Sequence, residues 1–107
     1  INGRILSLMK PTASLINVAR GALVDEKALY ESLLSGAIWG AGLDVFDDEP
    51  PDPCLPVYQL PNVYVMPHIA GTTINTAIGR ASVMAQNLDR IGQGLEPMHQ
   101  VHPGIKL

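Results

Sequence analysis

The chain has 107 residues, of which 47% are hydrophobic and 16% charged, and its formal net charge is −3. This composition is typical of a single globular domain and excludes a disordered tail, while the negative charge with scattered Lys and Arg disfavours a nucleic-acid surface. No apolar run approaches the ~18 residues of a membrane span, and the lone cysteine, Cys54, cannot form an internal disulfide, so we expect a cytoplasmic protein.

The first ten residues predict the end of a helix that is already under way. Ile5, Leu6 and Leu8 are apolar, Pro11 follows, and the pattern offers no N-cap ahead of them. The chain also begins at Ile1 without a methionine. We therefore expect the C-terminal part of a longer protein.

Two buried strands are predicted next, with a helix between them. Residues 15–18 are a short apolar run bounded by turn residues, and residues 38–46 predict a second strand. Asp25 is suited to cap the intervening helix, which Gly36 closes. Strands separated by helices, and apolar throughout, indicate an α/β fold with a parallel sheet.

The second half of the chain continues this pattern. Residues 47–61 contain five prolines and predict a stiff loop outside the sheet, followed by a third strand at residues 63–66. Thr72 or Thr73 then begins a long helix with apolar residues at a period of 3.6. The simplest interpretation of that apolar stripe is core packing, although part of it could face a further domain.

Polar side chains stand near the ends of all three predicted strands. Arg20 follows the first, Asp44 lies near the end of the second, and His68 follows the third. Ligands of open parallel sheets bind at the carboxyl ends of the strands. Purely structural roles remain open: Arg20 could pair with Asp25, Asp44 could cap a turn, and His68 could be a loop histidine.

Other candidate residues are weaker. His99 and His102 have the spacing of a weak metal site but lack a third ligand, so we expect no metal. Cys54 lies in the proline-rich loop without a neighbouring base, which disfavours a nucleophilic role.

Four sequence blocks, in order along nearly the whole chain, carry a resemblance to a known family. The chain resembles the NAD(P)-dependent D-isomer-specific 2-hydroxyacid dehydrogenases in residues 16–21, 23–26, 42–50 and 67–71. One departure is Ala22, where the family usually has a second glycine. The resemblance implies a partial Rossmann-like, doubly wound parallel sheet, the second half of a dinucleotide-binding domain.

The resemblance also implies catalytic roles for three residues. Arg20 would bind the substrate carboxylate and keto oxygen, His68 would be the general acid–base, and Glu49 would hydrogen-bond the imidazole. Elementary chemistry agrees, because a guanidinium matches a carboxylate with a planar fork of donors and histidine exchanges protons near neutral pH. Proton transfer of this kind is typically worth ~10²–10⁴-fold in rate.

Five residues would border the cofactor, NAD or NADP, by the same resemblance. Asp44 would contact the nicotinamide carboxamide, and Ala19 and Gly71 would let the backbone lie close to the cofactor. Arg20 and His68 complete this set of cofactor-binding residues. No G-x-G-x-x-G phosphate loop occurs in this sequence, so we expect the isolated chain to be inactive.

The implied function is that of an oxidoreductase which transfers a hydride between a nicotinamide cofactor and a small D-2-hydroxy acid or 2-keto acid. Residues 1–95 would belong to the NAD(P)-binding domain, and residues 96–107 would form a tail returning toward a substrate domain. A homodimer is expected by resemblance. The alternative is a non-catalytic, corepressor-like module that senses NAD(H), or a fragment with a purely structural role.

Overall fold

A computed structural model of the protein describes residues 1–101. The chain divides into two compact units, Ile1–Ala70 and Gly71–Leu107. The first unit holds the sheet and two helices, and the second holds the long helix. The elements are α1 (Gly3–Leu6), β1 (Ser14–Asn17), α2 (Glu26–Leu34), β2 (Gly40–Leu43), β3 (Val63–Val65) and α3 (Ile74–Gly92).

The three strands form a parallel sheet in the order β1-β2-β3. In the β1–β2 register, Ser14 pairs with Gly40 and Asn17 pairs with Leu43. β3 continues the sheet on the other side of β2. The predicted α/β class with a parallel sheet is confirmed. Since all three strands run the same way, their carboxyl ends meet at one edge.

The core of the first unit lies on one face of this sheet. Alternate residues of β1 are buried, so Leu15 faces the core while Ile16 on the other face is 65% exposed. Helix α2 contributes Leu29 and Leu33, which are almost fully buried. The buried cluster comprises Leu6, Leu15, Leu29, Leu33, Ile38, Ala41, Leu43, Phe46 and Val57.

Capping residues define the helix ends much as the sequence predicts. The Asp25 carboxylate accepts a hydrogen bond from Ala28 N at 3.0 Å, which begins α2. Gly36 follows the helix with a φ of 71°, the left-handed conformation that favours glycine. Thr73 caps α3 by accepting from Thr76 N at 3.1 Å.

One prediction about a helix is wrong, and a second stays a prediction. The first residues are not the end of a longer helix, because Asn2 is a genuine N-cap that accepts from Ile5 N at 3.2 Å. Within the described residues no residue of α3 is buried, so core packing of its apolar stripe, or its contact with a further domain, stays a prediction. Between β2 and β3 the proline-rich segment stays outside the sheet and includes a short 3₁₀ helix, Pro56–Gln59.

Candidate active site

Arg20 lies three residues beyond the end of β1, on extended backbone with φ −149° and ψ 144°. Its side chain is exposed, and Nη1 donates a hydrogen bond to the carbonyl oxygen of Ala19 at 2.6 Å. Asp25 instead caps α2. The guanidinium is therefore presented at the sheet edge and is not held in the local ion pair that the sequence left open.

Gly21 brings the segment after β1 against the segment after β2. A Cβ atom built on Gly21 would come within 3.0 Å of the Phe46 carbonyl group and the Asp47 nitrogen, closer than real Cβ atoms approach. Only glycine permits this contact between two backbones. Sequence reasoning missed this function, although a glycine directly after a strand-end arginine was the available signal.

Glu49 joins the end of β2 to His68. One carboxylate oxygen of Glu49, Oε2, lies 2.8 Å from His68 Nδ1. The other, Oε1, accepts a hydrogen bond from the Phe46 backbone N–H at 3.1 Å. Because both oxygens have a partner, the carboxylate is fixed in orientation as well as in place.

The electrostatics of Glu49 keep it ionised. The hydrogen bond from His68 lowers the pKa of Glu49 most, followed by the Phe46 N–H, and the charge of Arg20 also lowers it. An ionised carboxylate only accepts hydrogen bonds, so His68 Nδ1 carries the proton of this contact. The ring nitrogen left for chemistry is then Nε2.

His68 itself has an unusual backbone. Its φ is 56°, in the left-handed region that non-glycine residues adopt at a cost of roughly 1–2 kcal/mol. The strained residue is followed by two anchored amides. Ile69 N and Ala70 N donate to the two carboxylate oxygens of Asp44, each at 2.8 Å.

Asp44 is thus a buried carboxylate that holds the loop after β3. It is only 3% exposed, and its two hydrogen bonds reach residues 25 and 26 positions away. It does not cap a local turn, which was the purely structural role that the sequence left open. Each oxygen accepts one N–H and retains a second lone pair, so the side chain can still accept from a ligand.

The first unit therefore holds four of the predicted site residues at the carboxyl edge of its sheet: Arg20, Asp44, Glu49 and His68. Glu49 and His68 touch, and Ala19 lies beside the arginine. Gly71 begins the second unit, so its role remains a prediction. Three or more His, Cys, Asp or Glu residues placed to hold a metal do not occur within residues 1–101, and His102 lies outside those residues.

Comparison with known proteins gives this arrangement a family. Residues 1–70 match the NAD-binding domain of the D-isomer specific 2-hydroxyacid dehydrogenases. The chain belongs to this family. The resemblance seen in the sequence blocks is confirmed, and the catalytic and cofactor roles of individual residues remain predictions.

The proteins to which this chain is similar include reductases and dehydrogenases. Glyoxylate/hydroxypyruvate reductase B of Pectobacterium carotovorum is 51% identical over 100 residues, which is 94% of this chain and 31% of that protein. Glyoxylate reductase of Korarchaeum cryptofilum is 44% identical over 100 residues, 94% of this chain and 30% of that protein. The chain thus spans about a third of the length of these relatives.

Solved structures agree in fold. The NADPH-dependent glyoxylate/hydroxypyruvate reductase of Sinorhizobium meliloti, in complex with citrate, has a TM-score of 0.82 at 39% identity over 94% of this chain and 32% of that one. D-Lactate dehydrogenase of Lactobacillus jensenii with NAD⁺ has a TM-score of 0.82 at 30% identity, over 95% of this chain and 34% of that one. The Rossmann-like fold class is confirmed. No helix within residues 1–101 is both long and apolar enough to cross a membrane.

Proposed function

We propose that the protein carrying this chain is an NAD(P)-dependent oxidoreductase that reduces a small 2-keto acid to the D-2-hydroxy acid. The single observation that carries the proposal is the 2.8 Å contact between His68 Nδ1 and Glu49 Oε2. That contact turns an exposed histidine into an oriented acid–base group. A sensor that only binds NAD(H) has no need of it.

Arg20 binds the substrate in this proposal. Its exposed guanidinium offers a planar set of donors, and a 2-keto acid presents a carboxylate and an adjacent keto oxygen. A positive charge there also stabilises the negative charge that develops on the keto oxygen during reduction.

His68 supplies the proton. Since Nδ1 donates to the ionised Glu49, Nε2 of the protonated ring donates to the keto oxygen during reduction and takes the proton back in the reverse direction. Glu49 fixes the ring plane. The Phe46 amide holds Glu49 in turn, which limits rotation of the carboxylate away from the imidazole.

The residues present fit the nicotinamide end of NAD or NADP. Asp44 keeps lone pairs that can accept from a carboxamide N–H₂, and Ala19 has a small side chain at the same edge of the sheet. When bound, the reduced nicotinamide supplies the hydride for the keto carbon. The family's NAD-binding domain supports this cofactor class without separating NAD from NADP.

The substrate class follows from the relatives. Glyoxylate and hydroxypyruvate are the first candidates, because the similar proteins are named as reductases of these compounds. A homodimer and a cytoplasmic location are part of the proposal, as is inactivity of residues 1–107 alone. A 107-residue chain that turned over glyoxylate with NADPH would contradict the last point.

The test is hydride transfer by the full-length protein, measured as loss of NADPH or NADH absorbance with glyoxylate or hydroxypyruvate. The decisive variant is His68→Asn, since asparagine accepts left-handed backbone but offers no acid–base group. We expect kcat to fall by about 10²–10⁴-fold.

His99→Asn is the matched control. His99 is also an exposed histidine with a left-handed φ, 57°, but it lies in the second unit. Its variant should retain the activity of the unmodified protein. If His68→Asn were as active as His99→Asn, the proposed proton donor would be wrong. A full-length protein that binds NAD(H) but reduces no 2-keto acid would favour the alternative, a non-catalytic module that senses NAD(H).

A further inference from the structure

Asn17, the last residue of β1, carries an amide side chain, and the residue as a whole is 7% exposed. A buried amide must find hydrogen-bond partners, or it destabilises the fold. Both partners of Asn17 lie just after it in the chain. Oδ1 accepts from Ala19 N at 3.2 Å, and Nδ2 donates to Arg20 O at 2.9 Å.

These two hydrogen bonds brace a segment that packing does not hold. Val18 is 57% exposed, and Ala19 and Arg20 are also exposed. Burial therefore does little to fix the path of the backbone between β1 and Gly21. The Asn17 amide contacts this path at two points, one just before Arg20 and one at the carbonyl of Arg20 itself.

The brace is anchored to the middle strand, β2, through the backbone of Asn17. Asn17 pairs with Leu43 in the β1–β2 register, and its carbonyl oxygen accepts from Asp44 N at 3.0 Å. Motion of the Asn17 backbone is thus restricted by the middle strand and by Asp44. The brace transmits that restraint to the backbone that carries the guanidinium.

We propose that Asn17 is a positioning residue for substrate binding: its carboxamide fixes the direction in which Arg20 leaves the sheet edge. The inference rests on the proposed role of Arg20 and adds a residue to that site. An amide is needed because the brace requires an acceptor and a donor on one planar group. Aspartate keeps only the acceptor when ionised, and serine is too short to make both bonds.

Asn17→Asp is the sharpest perturbation, because it preserves shape. The ionised carboxylate still accepts from Ala19 N but faces the carbonyl oxygen of Arg20, which repels it. The Arg20 backbone must then move. A displacement of about 1 Å at a binding group typically costs up to ~10²-fold. We expect KM for the keto acid to rise on the order of 10–100-fold.

A merely structural role would give a different result. Partial unfolding lowers the active fraction and so kcat, but it leaves the KM of the remaining folded enzyme as it was. Acid rescue separates the two further. In the Asn17→Asp variant, protonation of the introduced carboxyl group restores a donor for Arg20 O, so the ratio of variant to parent KM should fall as the pH is lowered.

The experiment compares steady-state kinetics of the full-length parent, Asn17→Asp, Asn17→Ser and Asn62→Asp with glyoxylate or hydroxypyruvate. Asn62 is the matched control, because its Nδ2 also donates to a backbone carbonyl, that of Trp39, at 3.1 Å. Both Asn17 variants should raise KM and Asn62→Asp should not. Asn17→Ser tests the same point without a buried charge.

An unchanged KM in both Asn17 variants, or a fall in kcat alone, would overturn the proposal while the reductase function stood. Arg20→Lys tests that function separately, since lysine keeps the charge but lacks the fork. If the parent reduces no 2-keto acid, hydrogen exchange of the Ala19 amide decides instead. Exchange that is unchanged in Asn17→Ser would overturn the brace, and faster exchange would support it.

Discussion

Gly21→Ala tests whether the close contact between two strand ends assembles the site. The added Cβ would lie within 3.0 Å of the Phe46 carbonyl carbon, the Phe46 oxygen and the Asp47 nitrogen. All three are backbone atoms, which cannot rotate away as a flexible side chain can. The two segments would have to separate by roughly 1.5 Å to reach ordinary van der Waals contact.

This separation has two costs. Overpacking of this kind typically destabilises a protein by about 1–3 kcal/mol. It also moves Arg20, the neighbour of Gly21, relative to Glu49, whose orientation depends on the Phe46 amide. A shift of about 1 Å at catalytic groups can already cost ~10²-fold in rate. We therefore expect a lower denaturation midpoint together with a kcat/KM reduced by about that factor.

The assay is urea denaturation followed by steady-state kinetics on the full-length protein. Gly79→Ala is the matched control, because a Cβ on Gly79 meets nothing within 4 Å and the residue lies inside α3. Alanine is favoured over glycine in a helix by up to ~1 kcal/mol, so this variant should be as stable or more stable. A Gly21→Ala protein with the parent's midpoint and kcat/KM would refute the reasoning.

Two further predictions concern charge and burial. The pKa of Glu49 is lowered below its ordinary 4.5, so its ionised contact with His68 stabilises the fold above pH 4.5 and is lost as the pH falls through the lowered value. A carboxyl NMR titration of Glu49 should show a midpoint below 4.5, and this midpoint should rise in His68→Asn. A midpoint at or above 4.5 in the parent protein would contradict the prediction. Tyr58→Phe removes the hydrogen bond from Tyr58 Oη to Glu26 Oε2 at 2.8 Å; burial of the phenol raises its pKa most, and this hydrogen bond raises it next. We expect the free energy of unfolding to fall by about 1 kcal/mol. A urea midpoint equal to that of the parent would argue against this prediction.

Much of the fold could be predicted because the signals are local. Asp25, Gly36 and Thr73 act on residues within three or four positions of themselves, so their capping roles depend on little else. The wrong prediction for the first helix also concerns a local signal. Asn2 was an available cap, and its short helix simply was not recognised as a start.

The candidate site was predictable as a set of residues but not as an arrangement. Residue types near strand ends, with the family's motif blocks, indicate Arg20, Glu49 and His68. The contacts that orient them join distant parts of the chain: Gly21 to Phe46, and Asp44 to the amides after His68. No local pattern specifies those contacts.

The amino-acid sequence by itself determined the parallel α/β class, the family and the chemistry that these side chains can perform, because periodicity, caps and functional groups are properties of short segments. Only the tertiary structure decided which backbone amides hold the carboxylate of Asp44 and which glycine lets two strand ends touch. Those outcomes depend on packing between segments about 20 or more residues apart, where position in space, and not neighbourhood in the chain, sets the energy.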